Sequence, residues 1–299
     1  MPRKPPQSSP EREAIRREGL TVLHNPPDAG LDLVIIHGLN GTPYRTFCHE
    51  LTGFFWPADL AKTLPTARIM VFGYMADISS GSSNSLGVYQ HAESLLLHLR
   101  NNRVDSWQEK RPIVFLGHSL GGVVIKQALV ISQSTDPHIF KSTKLIVFFG
   151  TPHRGSHVLD KSLTKVGLSV MKLASREVPK SVKTMLKPRA NESFINNSDF
   201  MRVKGQISIV NFYEQVARHG LQDVVVDKDS AVFDSEWSEN IPVARDHEHL
   251  VRFESAQDDA YNTLQQTLQR KITKLLEEIA ESGKDGMIQQ PTNTPFHGK

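Results

Sequence analysis

The sequence predicts an α/β protein with a mostly parallel β-sheet that is flanked by helices. Short apolar runs alternate along the chain with segments of helical periodicity, which is the order expected when helices connect parallel strands. The runs are predominantly apolar, which indicates strands buried on both faces. One run ends in Gly-x-Ser-x-Gly and passes directly into a helical segment. The 299 residues suffice for one such domain with a full core.

Six strands follow from the apolar runs. In chain order they are residues 31–36, 68–72, 113–116, 144–149, 207–212 and a short 224–226. Two further segments place apolar side chains on one face of a helix, with a period of about 3.6 residues. The first contains Val88, Ala92, Leu95, Leu96 and Leu99, and the second contains Tyr261, Leu264, Leu268, Ile272, Leu275 and Leu276.

The chain ends and one internal segment depart from this pattern. Residues 1–18 and 283–299 have the composition of a disordered arm and tail, which leaves 19–282 as the folded domain. Residues 158–201 do not alternate simply, and their position after the fourth strand predicts a helical lid-like insertion. The insertion is basic and amphipathic, so it either contacts an anionic membrane peripherally or packs over the domain with a solvated charged face. Its basic residues are Lys161, Lys165, Lys172, Arg176, Lys180, Lys183, Lys187 and Arg189, against Asp160 and Glu177.

Composition limits the class of protein. Hydrophobic residues make up 38% and charged residues 22% of the chain, as in soluble globular proteins. No apolar run reaches the roughly 20 residues of a membrane-spanning helix, and residues 1–19 are too polar for a signal peptide. We therefore expect an intracellular, cytoplasmic protein, with peripheral association with an organelle membrane as the alternative.

The single cysteine, Cys48, excludes an internal disulfide framework and a Cys-rich metal site. The net charge of +3 is too small to predict nucleic-acid binding, and no feature specifies an oligomeric state.

The motif Gly117-His118-Ser119-Leu120-Gly121 predicts a nucleophile elbow. In such an elbow a serine occupies a strained turn between a strand and a helix, where side chains two residues to either side would clash. The turn exposes the hydroxyl above the sheet, and the helix N-terminus supplies free N–H groups and a positive dipole. An ordinary Gly-rich turn is the alternative, but the strand before the motif and the helix after it favour Ser119 as a nucleophile.

The segment His37-Gly38-Leu39 follows the first predicted strand and is expected to form the oxyanion hole. A developing oxyanion needs preorganised N–H donors. We assign the backbone N–H of Leu39 and that of Leu120, the residue directly after the nucleophile. His37, His118 and His153 are expected to pack near the cleft or to line it.

His247 is the predicted general base. The base must follow the last strands, and the candidates there are His247, His249 and the nearby His219. The Asp246-His247 pair favours His247. His118, inside the elbow, faces the wrong way to act as the base for its own neighbour.

Glu214 is the predicted triad acid, because it follows the strand at 207–212, where hydrolases of this type carry the acid. Asp223 and Asp227 flank the next short predicted strand, and either could contact the histidine instead. The chain order Ser, acid, His is that of α/β-hydrolases.

The chain resembles the serine esterase family that includes the serine-active-site-containing proteins, and the similar hydrolase domains of fungal NOD-like receptors. The resemblance runs from about residue 19 to 253. It is carried by the elbow and by VIIHGLNG (34–41), FWPADL (55–60), LPTARI (64–69), FGY (72–74), FGTPHRGS (149–156) and FYE (212–214). It implies an α/β-hydrolase fold and acyl chemistry on phospholipids or lipid anchors. At Phe47, after Thr46, family members usually have tryptophan, and the nucleotide-binding and repeat regions of the receptors do not occur in this chain.

The sequence thus predicts a serine esterase or lipase-like hydrolase that acts on ester or lipid substrates through an acyl-enzyme. This chemistry requires no metal and no organic cofactor. The alternative is a signalling or interaction module that keeps the fold without strong catalysis.

Overall fold

A seven-stranded β-sheet is the centre of the fold. In the computed structural model of the protein, the described residues are 13–76, 87–153, 197–205, 207–219, 221–232 and 238–288. The strands in chain order are β1 (Gly19–His24), β2 (Leu31–Ile36), β3 (Ala67–Gly73), β4 (Ile113–His118), β5 (Thr143–Phe149), β6 (Ser208–Glu214) and β7 (Ser238–Val243). They lie side by side in the order β1-β3-β2-β4-β5-β6-β7. Every neighbouring pair is parallel except β1 and β3, which are antiparallel. β4 therefore lies in the middle of the sheet.

Helices connect the strands. They are α1 (Trp56–Thr63), α2 (Val88–Asn101), α3 (Ser106–Lys110), α4 (Leu120–Thr135), α5 (Pro137–Ser142), α6 (Asn197–Val203), α7 (Lys228–Ala231) and α8 (Asp259–Ile288), with a short 3-10 helix at His249–Val251. Residues at the start of two helices favour their first turns. Pro57 lies in the first turn of α1, and Asp105 and Gln108 form a capping box at the start of α3. None of the described helices combines the length and apolar character needed to cross a bilayer.

Two apolar cores lie on opposite faces of the sheet, because successive side chains of a strand point in opposite directions. In β2, Val34 and Ile36 join the core formed with α2 and α4. Leu33 and Ile35 join the core formed with α1 and α8. The predicted apolar faces of α2 and α8 are the ones that pack against the sheet, with Leu95, Leu99, Leu264 and Leu268 at 0% exposure.

The predicted fold class is confirmed, and five of the six predicted strands correspond to β2 through β6. The strand predicted at 224–226 is wrong. Its residues form a bend in which the Val226 N–H donates to Oε1 of Glu214 instead of to a neighbouring strand. The sequence does not predict β1 and β7, which form the two edges of the sheet. β7 reads SENIPV, and its polar residues and Pro242 are tolerated because an edge strand is partly exposed.

The predicted lid-like insertion, 158–201, lies for its greater part outside the described residues, and so does its basic stretch, so both stay predictions. Part of the predicted arm is described: Ile15 packs against the core of α1 and α8, and the Arg16 N–H donates to Oγ1 of Thr21. At the other end, α8 continues to Ile288, into the segment expected to be a disordered tail.

A buried ionic cluster joins the amino-terminal ends of the neighbouring strands β3, β2 and β4. The carboxylate of Asp32, near the start of β2, is 0% exposed. It accepts hydrogen bonds from Arg68 in β3 at 2.7 and 2.9 Å, from Arg111 before β4 at 2.9 Å, and from Arg103 after α2. Arg68 and Arg103 also donate to backbone carbonyls, so the cluster fixes the loops around it. One carboxylate thus balances part of the charge of three buried guanidinium groups.

Asp32→Asn is expected to destabilise the fold by about 3–5 kcal/mol, because an amide of the same size leaves the buried guanidinium charges without a counter-ion. The free energy of unfolding in urea measures the effect. Arg202→Gln is the control, since the Arg202–Asp199 pair is largely exposed and such pairs contribute little. Equal unfolding curves for the two variants would contradict a structural role for the Asp32 cluster.

Candidate active site

Ser119 occupies a strained turn between the central strand and α4. It has φ 52° and ψ −118°, in the left-handed region that residues with a side chain seldom adopt. Its N–H donates to the carbonyl of Phe149 in the neighbouring strand at 2.9 Å, and its own carbonyl accepts from the Gly122 N–H at 3.1 Å. The residue is 1% exposed, and among the described residues its Oγ has no hydrogen-bond partner. The chain is therefore held in the elbow geometry with the hydroxyl uncommitted.

The two motif glycines are required by close packing around the elbow. A Cβ on Gly117 would lie 2.6 Å from Cδ1 of Ile125 and 2.7 Å from Cα of Gly122. A Cβ on Gly121 would lie 2.5 Å from the carbonyl oxygens of both Ile36 and His37. The second contact brings α4 directly against the segment His37-Gly38-Leu39, which contains one of the two predicted oxyanion donors, the Leu39 N–H.

His37 fixes the orientation of the peptide that carries Leu39 N–H. The Tyr74 N–H donates to Nε2 of His37 at 3.3 Å, so the ring proton is on Nδ1, which donates to the carbonyl of Gly38 at 2.9 Å. Burial lowers the pKa of His37 to about 4, which keeps the ring neutral. The Gly41 N–H also donates to the Gly38 carbonyl, at 3.2 Å. The Gly38 carbonyl and the Leu39 N–H belong to the same trans peptide and point in opposite directions. The Leu39 N–H therefore faces away from His37 and Gly41.

The oxyanion segment lies against the serine. A Cβ on Gly38 would be 2.9 Å from Cβ of Ser119. The Leu120 N–H is in the first turn of α4, where a helix offers no acceptor of its own. Tyr74, which the sequence analysis names only within the motif FGY and assigns no role, contacts the segment from outside: its O–H donates to the His37 carbonyl at 2.8 Å, and its ring stacks on His37 with a centroid distance of 4.4 Å. The sequence feature that could have indicated this role is the position of Tyr74 directly after β3, which pairs with β2.

Glu214 and His247 are brought together at the carboxyl end of β6. Oε2 of Glu214 lies 3.3 Å from Nδ1 of His247, without the alignment of a hydrogen bond. Oε1 of the same carboxylate accepts the N–H of Val226, which holds the side chain in place. The His247 ring packs on Gly150, where a Cβ would lie 2.9 Å from Cε1 of the ring. Nε2 of His247 has no hydrogen-bond partner among the described residues.

The alternative carboxylates lie elsewhere. Asp227 caps α7, where its side chain accepts the Ser230 N–H at 2.9 Å and the Ser230 hydroxyl at 3.1 Å. Asp223 is exposed. Of the three candidate acids, Glu214 is the one in contact with His247.

The alternative histidines lie at the surface. His219 is exposed, and His249 pairs with Asp246, whose Oδ1 lies 2.7 Å from its Nδ1. The sequence argument that Asp246 supports His247 is therefore wrong: the carboxylate binds the histidine three residues ahead of it, and it also accepts the backbone N–H groups of Glu248 and His249. Although burial alone would raise it, these bonds lower the pKa of Asp246 to about 2, and Asp246 in turn raises the pKa of His249.

The other two histidines near the elbow are buried. His118, 8% exposed, has its Nε2 3.0 Å from the carbonyl oxygen of His247. Nε2 of His153 lies 3.1 Å from Oδ1 of Asn211, and burial lowers its pKa well below 6.5. Behind His153, Lys126 on α4 donates to the carbonyl of Pro152 at 3.2 Å, and burial lowers the pKa of Lys126 to about 7. Within the described ranges, no three His, Cys, Asp or Glu side chains are grouped to hold a metal ion.

Comparison with known proteins identifies relatives of this chain. It is 26% identical to Protein SERAC1 of Danio rerio over 216 residues, which is 62% of this chain and 32% of the relative. It is 26% identical to Protein SERAC1 of Homo sapiens over 200 residues, 57% of this chain and 30% of the relative. The chain thus spans about a third of the length of the relatives it matches. Naproxen esterase from Bacillus subtilis superposes with a TM-score of 0.47 at 17% identity, over 85% of this chain and 88% of that one.

A family model described as "Putative serine esterase (DUF676)" matches residues 32–204, which is more than half of the 299 residues. The matched segment includes the oxyanion segment and the elbow. The chain therefore belongs to this serine esterase family.

Proposed function

We propose that this protein is a serine hydrolase that cleaves, or transfers, acyl esters through an acyl-enzyme. The observation that carries the proposal is the contact of the Glu214 carboxylate with His247, together with an elbow serine whose buried Oγ has no hydrogen-bond partner among the described residues. Buried polar atoms normally have hydrogen-bond partners. Unbonded ones at a strained turn are typical of a site that completes its bonds with substrate. Membership of the serine esterase family supports hydrolase chemistry.

In the proposed reaction the hydroxyl of Ser119 attacks the ester carbonyl while Nε2 of His247 takes its proton. The negative charge that develops on the carbonyl oxygen is stabilised by the N–H groups of Leu39 and Leu120. Glu214 stabilises the imidazolium form of His247. His247 then protonates the leaving alcohol as the C–O bond breaks. Water, or an acceptor alcohol in a transfer reaction, attacks the acyl-enzyme with the same histidine as base, and Ser119 is regenerated.

The neighbouring imidazoles suit this chemistry because they stay neutral. Burial lowers the pKa of His37 to about 4, and burial together with repulsion from His247 lowers the pKa of His118 to about 3. Neither ring adds a positive charge that would oppose protonation of His247. The negative charge of Glu214 therefore acts on the base without competition from these two histidines.

The substrate class and place of action are proposals from the sequence. The resemblance to esterases of phospholipid or lipid-anchor acyl chemistry favours a lipid-like ester. The basic stretch at 161–189 favours peripheral contact with an anionic membrane. An intracellular location is proposed on the composition of the chain.

Ser119→Ala is expected to abolish both labelling by a fluorophosphonate probe and hydrolysis of a short soluble ester, since it removes the nucleophile and keeps the turn. Circular dichroism checks that the variant is folded. Ser134→Ala is the matched control, because Ser134 lies on the same helix with its hydroxyl bonded to the Ile131 carbonyl; it should keep full labelling. Labelling of a folded Ser119→Ala protein would refute the proposed nucleophile, and an unlabelled wild type would favour the interaction module.

Glu214→Gln is expected to lower kcat by about 10⁴-fold, because an amide at the orienting position favours the wrong tautomer of the base, as in the serine protease triad. Asp227→Asn should change kcat little, since an amide oxygen can still cap α7. Steady-state kinetics on a soluble ester compare the two. If kcat fell strongly in Asp227→Asn and only slightly in Glu214→Gln, the triad acid would be Asp227.

Stability is expected to fall as the pH drops below about 6.5. In the unfolded chain His37 and His118 take up protons near their ordinary pKa of 6.5, whereas in the fold their pKa is lowered. Each such histidine therefore lowers the free energy of unfolding by about 1.4 kcal/mol for each unit by which the pH falls, down to about pH 4, where His37 begins to protonate in the fold. Urea unfolding at pH 7.5, 6 and 5 measures the slope. His118→Gln removes one of these groups and should reduce the slope accordingly; an unchanged slope would contradict the neutral state of His118.

A further inference from the structure

We propose that His118 is a positioning residue for catalysis: its Nε2–H holds the backbone carbonyl of His247 and so fixes the proposed base relative to the nucleophile that follows His118 in the chain. The inference rests on the proposed function, and it assigns a role to the variable position of the Gly-x-Ser-x-Gly motif that precedes the serine.

The bond has a defined direction. Nε2 of His118 lies 3.0 Å from the carbonyl oxygen of His247, and the two ring centroids are 5.0 Å apart. A carbonyl oxygen only accepts, so Nε2 must have the hydrogen. His118 is buried, and burial followed by repulsion from His247 lowers its pKa to about 3. The ring is therefore neutral at pH 7, and its single N–H is committed to this carbonyl.

His118 is unsuited to the role of base itself. Its Nδ1 lacks a hydrogen-bond partner in the described part of the chain. That atom faces the oxyanion segment, where a Cβ on Gly38 would lie 3.0 Å from it. A group that protonates near pH 3 is a weak proton acceptor at neutral pH. The side chain thus stands between the elbow, the oxyanion segment and the loop of His247.

His247 needs a constraint beyond its contact with Glu214. The 3.3 Å approach of Oε2 to Nδ1 is not aligned as a hydrogen bond, and so it restrains the ring weakly. The flanking residues of the loop are bound: Arg245 donates to the Arg252 carbonyl at 3.0 Å, and Asp246 accepts the N–H of Glu248 at 3.1 Å. The His118 bond acts on His247 itself. Because Ser119 is the next residue after His118, the same bond fixes the distance between base and nucleophile.

Loss of this bond should affect turnover more than substrate binding. Small displacements of a catalytic group can reduce the rate by about 10²-fold. His118→Met removes the donor and keeps a buried side chain of similar length, so we expect kcat to fall by about 10²-fold with KM nearly unchanged. His118→Gln places an amide N–H near the position of Nε2, and it should restore most of kcat and most of the rate of fluorophosphonate labelling.

The control pair is His24→Met and His24→Gln. Nε2 of His24 also lies 3.0 Å from a backbone carbonyl, that of Pro65, at the far edge of the sheet. These two variants should have the same kcat as each other and as the wild type. A Met–Gln difference at His118 but not at His24 separates positioning of the base from a general structural effect.

Several results would overturn the proposal. Equal kcat of the Met and Gln variants at position 118, in a wild type that reacts with the probe, removes the positioning role and leaves the proposed function intact. A wild type that does not react removes both. If the Met variant does not fold, nitrogen-15 NMR of the wild-type imidazole decides: protonation at Nε2 alone from pH 7 to pH 5 supports the role, and protonation at Nδ1 excludes it.

Discussion

The left-handed turn at Ser119 is the constraint on which the rest of the site depends. The turn is possible because α4 packs so closely on the end of β2 that a Cβ on Gly121 would lie 2.5 Å from two carbonyl oxygens. It is also held by the N–H of Ser119 on the carbonyl of Phe149. Backbone strain of this kind persists only where the surroundings over-determine it. Here the central position of β4, with three strands on either side, provides those surroundings.

The two ends of strands β2, β3 and β4 differ in the charged groups that they carry. At the amino ends, one carboxylate, Asp32, is surrounded by three guanidinium groups in a rigid ionic cluster. At the carboxyl ends, the imidazoles of His37 and His118 are neutral and are bonded to backbone groups. A fixed charge there would act on every charge that forms during a reaction, because the local dielectric constant is low. Neither imidazole therefore adds a positive charge next to His247, whose Nδ1 lies 3.3 Å from the Glu214 carboxylate.

Much of this arrangement could be predicted from local sequence signals, and the remainder could not for physical reasons. The interior strands and the elbow are encoded by apolar runs and glycine spacing, which depend on near neighbours in the chain. The sequence does not predict the edge strands because half-exposed strands such as SENIPV lack an apolar run. Residues 224–226 form an apolar run that predicts a strand, but the structure buries Val225 and Val226 in a small cluster with Tyr213 instead of in the sheet. The partner of Asp246 depends on how its loop turns, which adjacency in sequence does not specify.

The bond between His118 and His247 joins residues 129 positions apart, and this separation has a consequence for the order of folding events. Closing so long a loop costs entropy that is recovered only when the intervening strands have paired. Strands β5, β6 and β7 lie between the elbow and the proposed base, His247, along the chain. Catalytic competence should therefore be the last property to return on refolding, after collapse and secondary structure, and it is a stringent reporter that the whole sheet has reached its native topology.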